Sequence, residues 1–393
     1  MSTREFQLLL ACARSQPDAQ SITELLRQDI NWQALVQLAR QHYVRPMLFK
    51  SLKSVCWEVV PQTTQLELER FNKANIQKNL LFTAELLRLF DLFHQNRIPI
   101  ATFKGPILAM SVYGHLALRE FSDLDLLVQE ADLRKAADVL AACGYRADFP
   151  DQDYRTAFVS YQGQYAFRQT KSGISVDLHW QFSSKSVAFP IQSTEVWSRL
   201  RQVTIGGRTV ATLAFDDLAL LLAAHGTKEG WRNLGWLCDY AELLRNCHHI
   251  NWDAILGRAQ RAYCSRMVLS AILLASTLLD ATAPAHLVDK ARSIPAVRAL
   301  AQKARSRMLQ PDSQGEDWKL LNGLTIHDRF WRRLWPVATT LLATRTVGDY
   351  RAIPLPKSFW GIYYLIRPFR LAGKAAHRVL RRGVLAMRFG SML

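Results

Sequence analysis

Cysteine is scarce in this chain: 393 residues hold six, Cys12, Cys56, Cys143, Cys238, Cys247 and Cys264, and none forms a C-x-x-C pair. That argues against a disulfide framework and fits thiols kept reduced in a cytosol. Long apolar runs are missing too. The nearest, "MVLSAILLASTLL" from Met267, lies between Arg266 and Asp280. It falls short of the roughly 18 to 20 residues that cross a bilayer and is expected to be a core helix. There is no internal repeat and no low-complexity linker, which excludes solenoids and disordered spacers. Acidic residues are few beside basic ones, 33 against 50, for a net charge of +17. Such a balance attracts polyanions: nucleotides, nucleic acids or anionic lipid headgroups. From residue 350 onward acid is absent altogether, while Arg351, Lys357, Arg367, Arg370, Lys374, Arg378, Arg381, Arg382 and Arg388 remain. About half of the excess therefore belongs to the tail.

What is present looks globular. A hydrophobic content of 49% with 21% charged residues is close to the average for folded domains, and the length predicts two or three of them. The start "MSTREFQLLLACAR" superficially matches a lipoprotein cleavage site, but Glu5 and Gln7 interrupt it, and Phe6, Leu9, Leu10 and Ala13 have helical spacing. An amphipathic helix is the expectation there, and a cytoplasmic location for the protein.

Residues 1–95 read as helical, with Ile22, Leu25, Leu26, Leu35, Leu38 and Ala39 in register and a capping box at Ser21 and Glu24. A second pattern, "LFTAELLRLFDLFHQNR", stops at Ile98-Pro99. The period then changes. "IPIATFKG" reads as a strand and "PILAMSVYGH" as a helix with proline in its first turn. "FSDLDLLV" reads as a strand and "EADLRKAADVLAACGY" as a helix closed by Gly144. "GQYAFRQ" and "ISVDLHWQF" read as a hairpin. The expectation is an α+β protein: a small mixed sheet in residues 96–213, an N-terminal helical region in 1–95, a C-terminal helical region in 214–345, and a basic aromatic tail in 346–393. In the third region Leu234, Leu237, Ala241 and Leu244 form a stripe.

The chemistry sits in "FSDLDLLV". Residues two apart in a strand share a face, so Asp123 and Asp125 project together while Leu124 and Leu126 turn to the core. Like charges this close are costly unless a cation lies between them, and hard carboxylate oxygens suit Mg²⁺. "ISVDLHW" adds Asp177, with His179 on the same face and Ile174, Val176 and Leu178 on the other. If the hairpin lies beside the first strand, three carboxylates converge, the minimum for two-metal phosphoryl or nucleotidyl transfer. His179 is expected to stand behind a metal ligand rather than to be one. "FKGP" supplies Gly105 and a helix N-terminus for phosphate, with Lys104 as a cation. Arg119 and Ser122 precede the carboxylates and are further phosphate candidates.

These motifs resemble the DNA polymerase β-like nucleotidyltransferases, whose pattern is a glycine turn between strand and helix, Asp-x-Asp on the next strand, and a third carboxylate on a later one. Here "KGP" (104–106), "DLD" (123–125) and Asp177 match. More narrowly, "FKGPILAMSVYGHLALREFSDLDLLV", "VDLHW" and "HGTKEGWRNLGWLCDYAELL" resemble a broad bacterial family of uncharacterised nucleotidyltransferases associated with polysaccharide and peptide natural-product gene clusters. That resemblance spans roughly residues 30–370. It implies a sheet of nucleotidyltransferase type and transfer of a nucleotidyl group from a nucleoside triphosphate, ATP by preference, to an acceptor hydroxyl or phosphate. Asp123, Asp125 and Asp177 would be the catalytic residues and hold two Mg²⁺ ions. Members close the cleft with a helical domain, which makes His225 and Lys228 candidates for nucleotide or acceptor contacts and leaves Asp239 to pair with Lys228 or cap the wall. Trp231 and Trp236 are expected to fill core. One departure stands out: Pro106 replaces a second small residue and offers neither N–H nor hydroxyl, so phosphate binding leans on Gly105, Lys104 and the helix.

The acceptor is a small molecule, saccharide or peptide that the sequence does not specify. Three other readings stay open: a catalytically silent nucleotide-binding or scaffold protein in a biosynthetic assembly, terminal phosphoryl transfer on the same fold, and nucleic-acid polymerisation or modification. Cys247, His248 and His249 lack a partner pair at zinc spacing. The tail, with apolar residues and arginines interleaved, suits an anionic membrane as a peripheral partner or docking on the protein body, and nucleic acid less well.

Overall fold

The computed structural model describes residues 3–14, 16–147, 163–183, 189–247, 249–309, 326–328, 349 and 352–373. Most of the tail and His248 lie outside the described residues. Helices come first: α1 (Arg4–Cys12), α2 (Ala19–Leu26), α3 (Trp32–Gln41), α4 (Arg45–Val55) and α5 (Gln62–Gln95). The cap of α2 is Asp18, which accepts from Ser21 N–H at 3.1 Å, and not Ser21 as the capping box suggested. Asp18 wins because Ser21 already sits one turn inside the helix, where its hydroxyl donates to the same carboxylate at 2.5 Å. The 34-residue α5 starts well before the apolar pattern that announced it.

Alternation then sets the sheet: β1 (Ile100–Thr102), α6 (Gly105–Tyr113), β2 (Asp123–Val128), α7 (Leu133–Ala142), β3 (Tyr145–Ala147), β4 (Gln164–Gln169), β5 (Ser175–His179), β6 (Arg201–Ile205) and β7 (Arg208–Thr212). Their order is β3-β4-β5-β2-β1-β7-β6. β2 runs parallel to β5 and antiparallel to β1, so the carboxylate strand lies at the centre. The β6–β7 hairpin is an addition to the expected strands. It turns on Gly206 and Gly207, both at positive φ, as a tight two-residue hairpin requires.

The two faces of the sheet meet different cores. Leu124, Leu126 and Val128 of β2 join Val176 and Leu178 of β5, Phe82, Leu86 and Phe93 of α5, and Leu140 of α7. The opposite face, through Ala101, Phe103 and Leu127, belongs to a second core shared by the N-terminal helices and by α8 (Phe215–Glu229), α9 (Leu234–Asn246) and the helices Ser265–Leu279 and Pro295–Leu309. The apolar run from Met267 is buried there, as expected. Asp123 and Asp125 alternate with the leucines and so face α8 and α9 rather than α5.

Candidate active site

β2 and β5 pair in a register that sets Asp125 opposite Asp177 and Leu127 opposite His179. The consequence is a compact donor group: one ligand atom each from Asp125, Asp177 and His179 lies within 4.8 Å of the others. His179 Nε2 is 3.1 Å from Asp125 Oδ1, so the histidine touches one of the carboxylates and also belongs to the group that could hold a metal ion. Asp177 Oδ2 accepts from Gln164 Nε2 at 2.7 Å, an amide delivered by the neighbouring strand β4. Lys104 Nζ stands 3.8 Å from Asp125 Oδ1.

These side chains line one cleft of about 640 Å³ that also contains Arg119, Ser122, Asp123, His225 and Lys228. Every site residue read from the sequence except Gly105 is on its wall. Gly105 begins α6 at φ +57°, a conformation that a side chain strains, and a Cβ there would sit 3.4 Å from Asp123 O. The glycine turn therefore backs directly onto the start of the carboxylate strand.

Charge is unevenly compensated. Burial, then the carboxylates of Asp125 and Asp177, push Asp123 up to about 6. Burial also raises Asp177, with His179 opposing it and Asp125 adding to it. For Asp125 burial pulls the same way, but Lys104 and His179 outweigh it and hold the carboxyl below the usual range. The donor group thus pairs one ionised carboxylate, Asp125, with one that resists ionising, Asp177, while Asp123 lies outside that group on the same cleft wall. Hard oxygens so arranged fit a divalent cation such as Mg²⁺.

The far wall comes from α8 and α9. Arg119, read as a phosphate contact, donates to both oxygens of Asp239 at 2.8 and 2.9 Å, and Tyr113 donates to the same carboxylate at 2.8 Å. Asp239 thus ties the sheet side of the cleft to α9, where pairing with Lys228 had been considered. Burial alone would lower the Arg119 pKa, but Asp239 outweighs it and keeps the guanidinium charged. Burial, then Lys104 and Lys228, hold His225 neutral. Its ring meets that of Trp236 edge-on at 5.0 Å. Trp231 fills core as expected, whereas Trp236 lines the cleft.

Sequence reasoning missed the support of the segment 116–121, which carries Arg119 into the cleft. Asn79 of α5 donates to Leu116 O and Arg119 O at 2.7 and 2.9 Å, and Lys78 donates to Phe121 O at 2.5 Å. From α4, Arg45 grips Glu120 through a pair of bonds. The polar Asn75, Lys78 and Asn79, three and four residues apart on a helix that otherwise buries leucine and phenylalanine, were the available signal.

A family model described as "uncharacterised nucleotidyltransferase" matches residues 28–280, ending short of the 370 read from the motifs. No curated protein matches the chain. Among solved structures, the chain is similar to the antibiotic-resistance factor ANT(2'')-Ia at 10% identity, over 59% of this chain and 94% of that one. The TM-score of 0.29 gives that likeness no weight here.

Proposed function

The chain belongs to the uncharacterised nucleotidyltransferase family, and from that premise we propose that it transfers a nucleotidyl group from a nucleoside triphosphate, ATP by preference, to an acceptor hydroxyl or phosphate. The observation that carries this reading is the β2–β5 register, which sets Asp125 and Asp177 opposite each other on the cleft face, two residues along β2 from Asp123. Asp123, Asp125 and Asp177 are the residues that would hold Mg²⁺, two ions in the fullest form of the mechanism, with His179 fixing Asp125. Bound there, the metal would neutralise triphosphate charge and acidify the acceptor hydroxyl.

The chain's own residues do the rest. Gly105 lets the backbone approach the phosphates, and α6 offers them the positive end of its dipole. Lys104 exchanges Asp125 for phosphate oxygen when the triphosphate enters. Asp177, made more basic by burial, accepts the proton of the acceptor hydroxyl as a carboxylate while Gln164 keeps its other oxygen engaged. The acceptor oxygen bonds to the α-phosphorus as the bond to pyrophosphate breaks, and the proton rests on Asp177. Arg119 holds the wall through Asp239 instead of contacting phosphate directly. His225 and Lys228 face the substrate from α8.

Titration calorimetry with ATP, GTP, CTP and UTP, with and without Mg²⁺, tests the reading against an Asp123→Asn/Asp125→Asn variant matched for folding by circular dichroism. Mg²⁺-dependent binding that vanishes in the variant is expected, and it would also name the donor base. A folded wild type that binds no nucleotide would sink the proposal and leave the silent scaffold in its place.

A further inference from the structure

Among the described residues eleven large apolar side chains are exposed, and six of them, Ile353, Phe359, Ile362, Tyr364, Leu365 and Phe369, fall within residues 353–369. Leu365 is 71% and Phe369 80% exposed. The concentration has a helical order: Phe359, Ile362, Leu365 and Phe369 recur every three or four positions, across a 3-10 segment (Lys357–Ile362) and the helix that follows at 363–373.

The opposite face of the same segment is closed. Trp360, Tyr363 and Arg367 are buried. Trp360 Nε1 donates to Leu355 O at 2.9 Å, and the Tyr363 hydroxyl donates to Ile353 O at 2.7 Å while accepting from Leu355 N–H at 2.9 Å. Asp349, itself buried, accepts from Arg367 at 3.2 Å and Arg370 at 2.8 Å. The segment thus has an inner face tied by hydrogen bonds and an outer face of rings and aliphatic chains, an arrangement with a built inside and an open outside.

The sequence beyond it settles which partner suits that face. Residues 374–393 contain Lys374, Arg378, Arg381, Arg382 and Arg388 and no acid. Apolar side chains flanked in sequence by positive charge match an interface of hydrocarbon under anionic headgroups, where basic residues near the surface add to the attraction. Nucleic acid would use the charge but leave Ile362 and Leu365 without a role, since bases stack on aromatic rings. Another protein would need a patch of about 20 to 30 residues a side, and this stripe is far narrower.

We propose that residues 353–373 dock the protein on an anionic lipid surface, with Phe359, Ile362, Leu365 and Phe369 entering the interface and the basic residues after them engaging the headgroups. This does not depend on the catalytic reading. The test is co-sedimentation of the full chain with phosphatidylcholine vesicles, with and without phosphatidylglycerol. The wild type is expected to bind the anionic vesicles, to release them as salt rises, and to leave the neutral ones unbound. Leu365→Ser/Phe369→Ser, both at exposed positions, should weaken binding about tenfold or more with an unchanged melting curve. Arg378→Gln/Arg381→Gln/Arg382→Gln should flatten the salt dependence. Three results would overturn the proposal. The wild type could stay in the supernatant with anionic vesicles. The serine variant could bind lipid as well as the wild type, or hold an oligonucleotide in preference to lipid, which would mark plain polyanion attraction. Light scattering could show a dimer that the serine variant abolishes and that ignores vesicles, which would assign the face to a second copy.

Discussion

The two faces of β2 have opposite relations to stability. Leu124, Leu126 and Val128 are fully buried against α5 and α7, and their burial helps hold the sheet together. Asp123 and Asp125, alternating with them on the same six residues, face a cleft where their charge is only partly matched. One face is settled by burial in the folded chain; the other holds carboxylates whose charge the neighbouring cations match only in part. Period-two alternation lets a single strand do both without compromise, because no side chain belongs to both faces.

The largest effect expected is on the apolar face. Leu126→Ala leaves a cavity where Leu126 is fully buried and should cost about 2 to 5 kcal/mol, read as a lower denaturant midpoint at unchanged m-value. Nucleotide affinity of the fraction that stays folded should not change. A loss below 1 kcal/mol would mean that the two faces are less separate than their burial implies.

Asp123→Asn is the mirror experiment. The native carboxyl is pushed up to about 6, above the unfolded value of 3.8. Between those values the folded state binds the extra proton, so this group favours folding as pH falls and opposes it above 6. In metal-free buffer at pH 7.5 the asparagine variant should therefore be more stable than wild type, by roughly 2 kcal/mol. The gap should close toward pH 4. Added Mg²⁺ should stabilise wild type and leave the variant where it was. A variant less stable than wild type without metal at pH 7.5 would break the comparison.

His42 extends it to the helical core. It is buried between α3 and α9, its Nδ1 accepts from Leu234 N–H at 3.3 Å, and burial lowers its pKa to about 4. A histidine held neutral stabilises fully above its unfolded pKa of 6.5, and that contribution is lost as pH falls through 4. The loss has the opposite sign to the Asp123 effect. Urea melts at pH 7.5 and 5 on wild type and Asp123→Asn separate the two. With Asp123 removed, His42 and the likewise neutral His225 lower stability over that interval while raised Asp177 opposes them, so the His42 share, roughly 1 to 2 kcal/mol, is the part that a further His42→Gln change removes. A pH dependence that His42→Gln leaves unchanged would show that His42 is not held neutral.

How much of this was legible in the sequence follows the range of each interaction. The glycine turn, the Asp-x-Asp strand and the alternation in "ISVDLHW" are local patterns, and the mixed sheet between helical regions is the fold observed. The meeting of His179 with Asp125 needed the β2–β5 register, which joins residues 54 apart. The tie from Arg119 to Asp239 spans 120 positions and left no mark on either segment. The β6–β7 hairpin was different: "VTIGGRTVAT" carries a Gly-Gly turn between alternating segments, a readable signal that went unread. The start of α5 was obscured because Asn75, Lys78 and Asn79 spend its inner face on the backbone of 116–121, where an apolar stripe would have announced a helix.

The smallest effect, at the seam between the two faces, is the most discriminating. Gly105 lies at φ +57°, and an added Cβ would touch Asp123 O only at an ordinary contact distance of 3.4 Å. Gly105→Ala should therefore cost about 1 to 2 kcal/mol from backbone strain, with no clash added. If the turn serves phosphate, Mg²⁺-dependent nucleotide affinity should fall by more than the unfolded fraction explains, because a residue with a side chain strains the φ +57° backbone that must approach the ligand. Calorimetry on protein shown fully folded at the titration temperature separates the two. A stability loss with unchanged affinity would make Gly105 a fold requirement alone, and would move phosphate recognition to Lys104 and the rest of the first turn of α6.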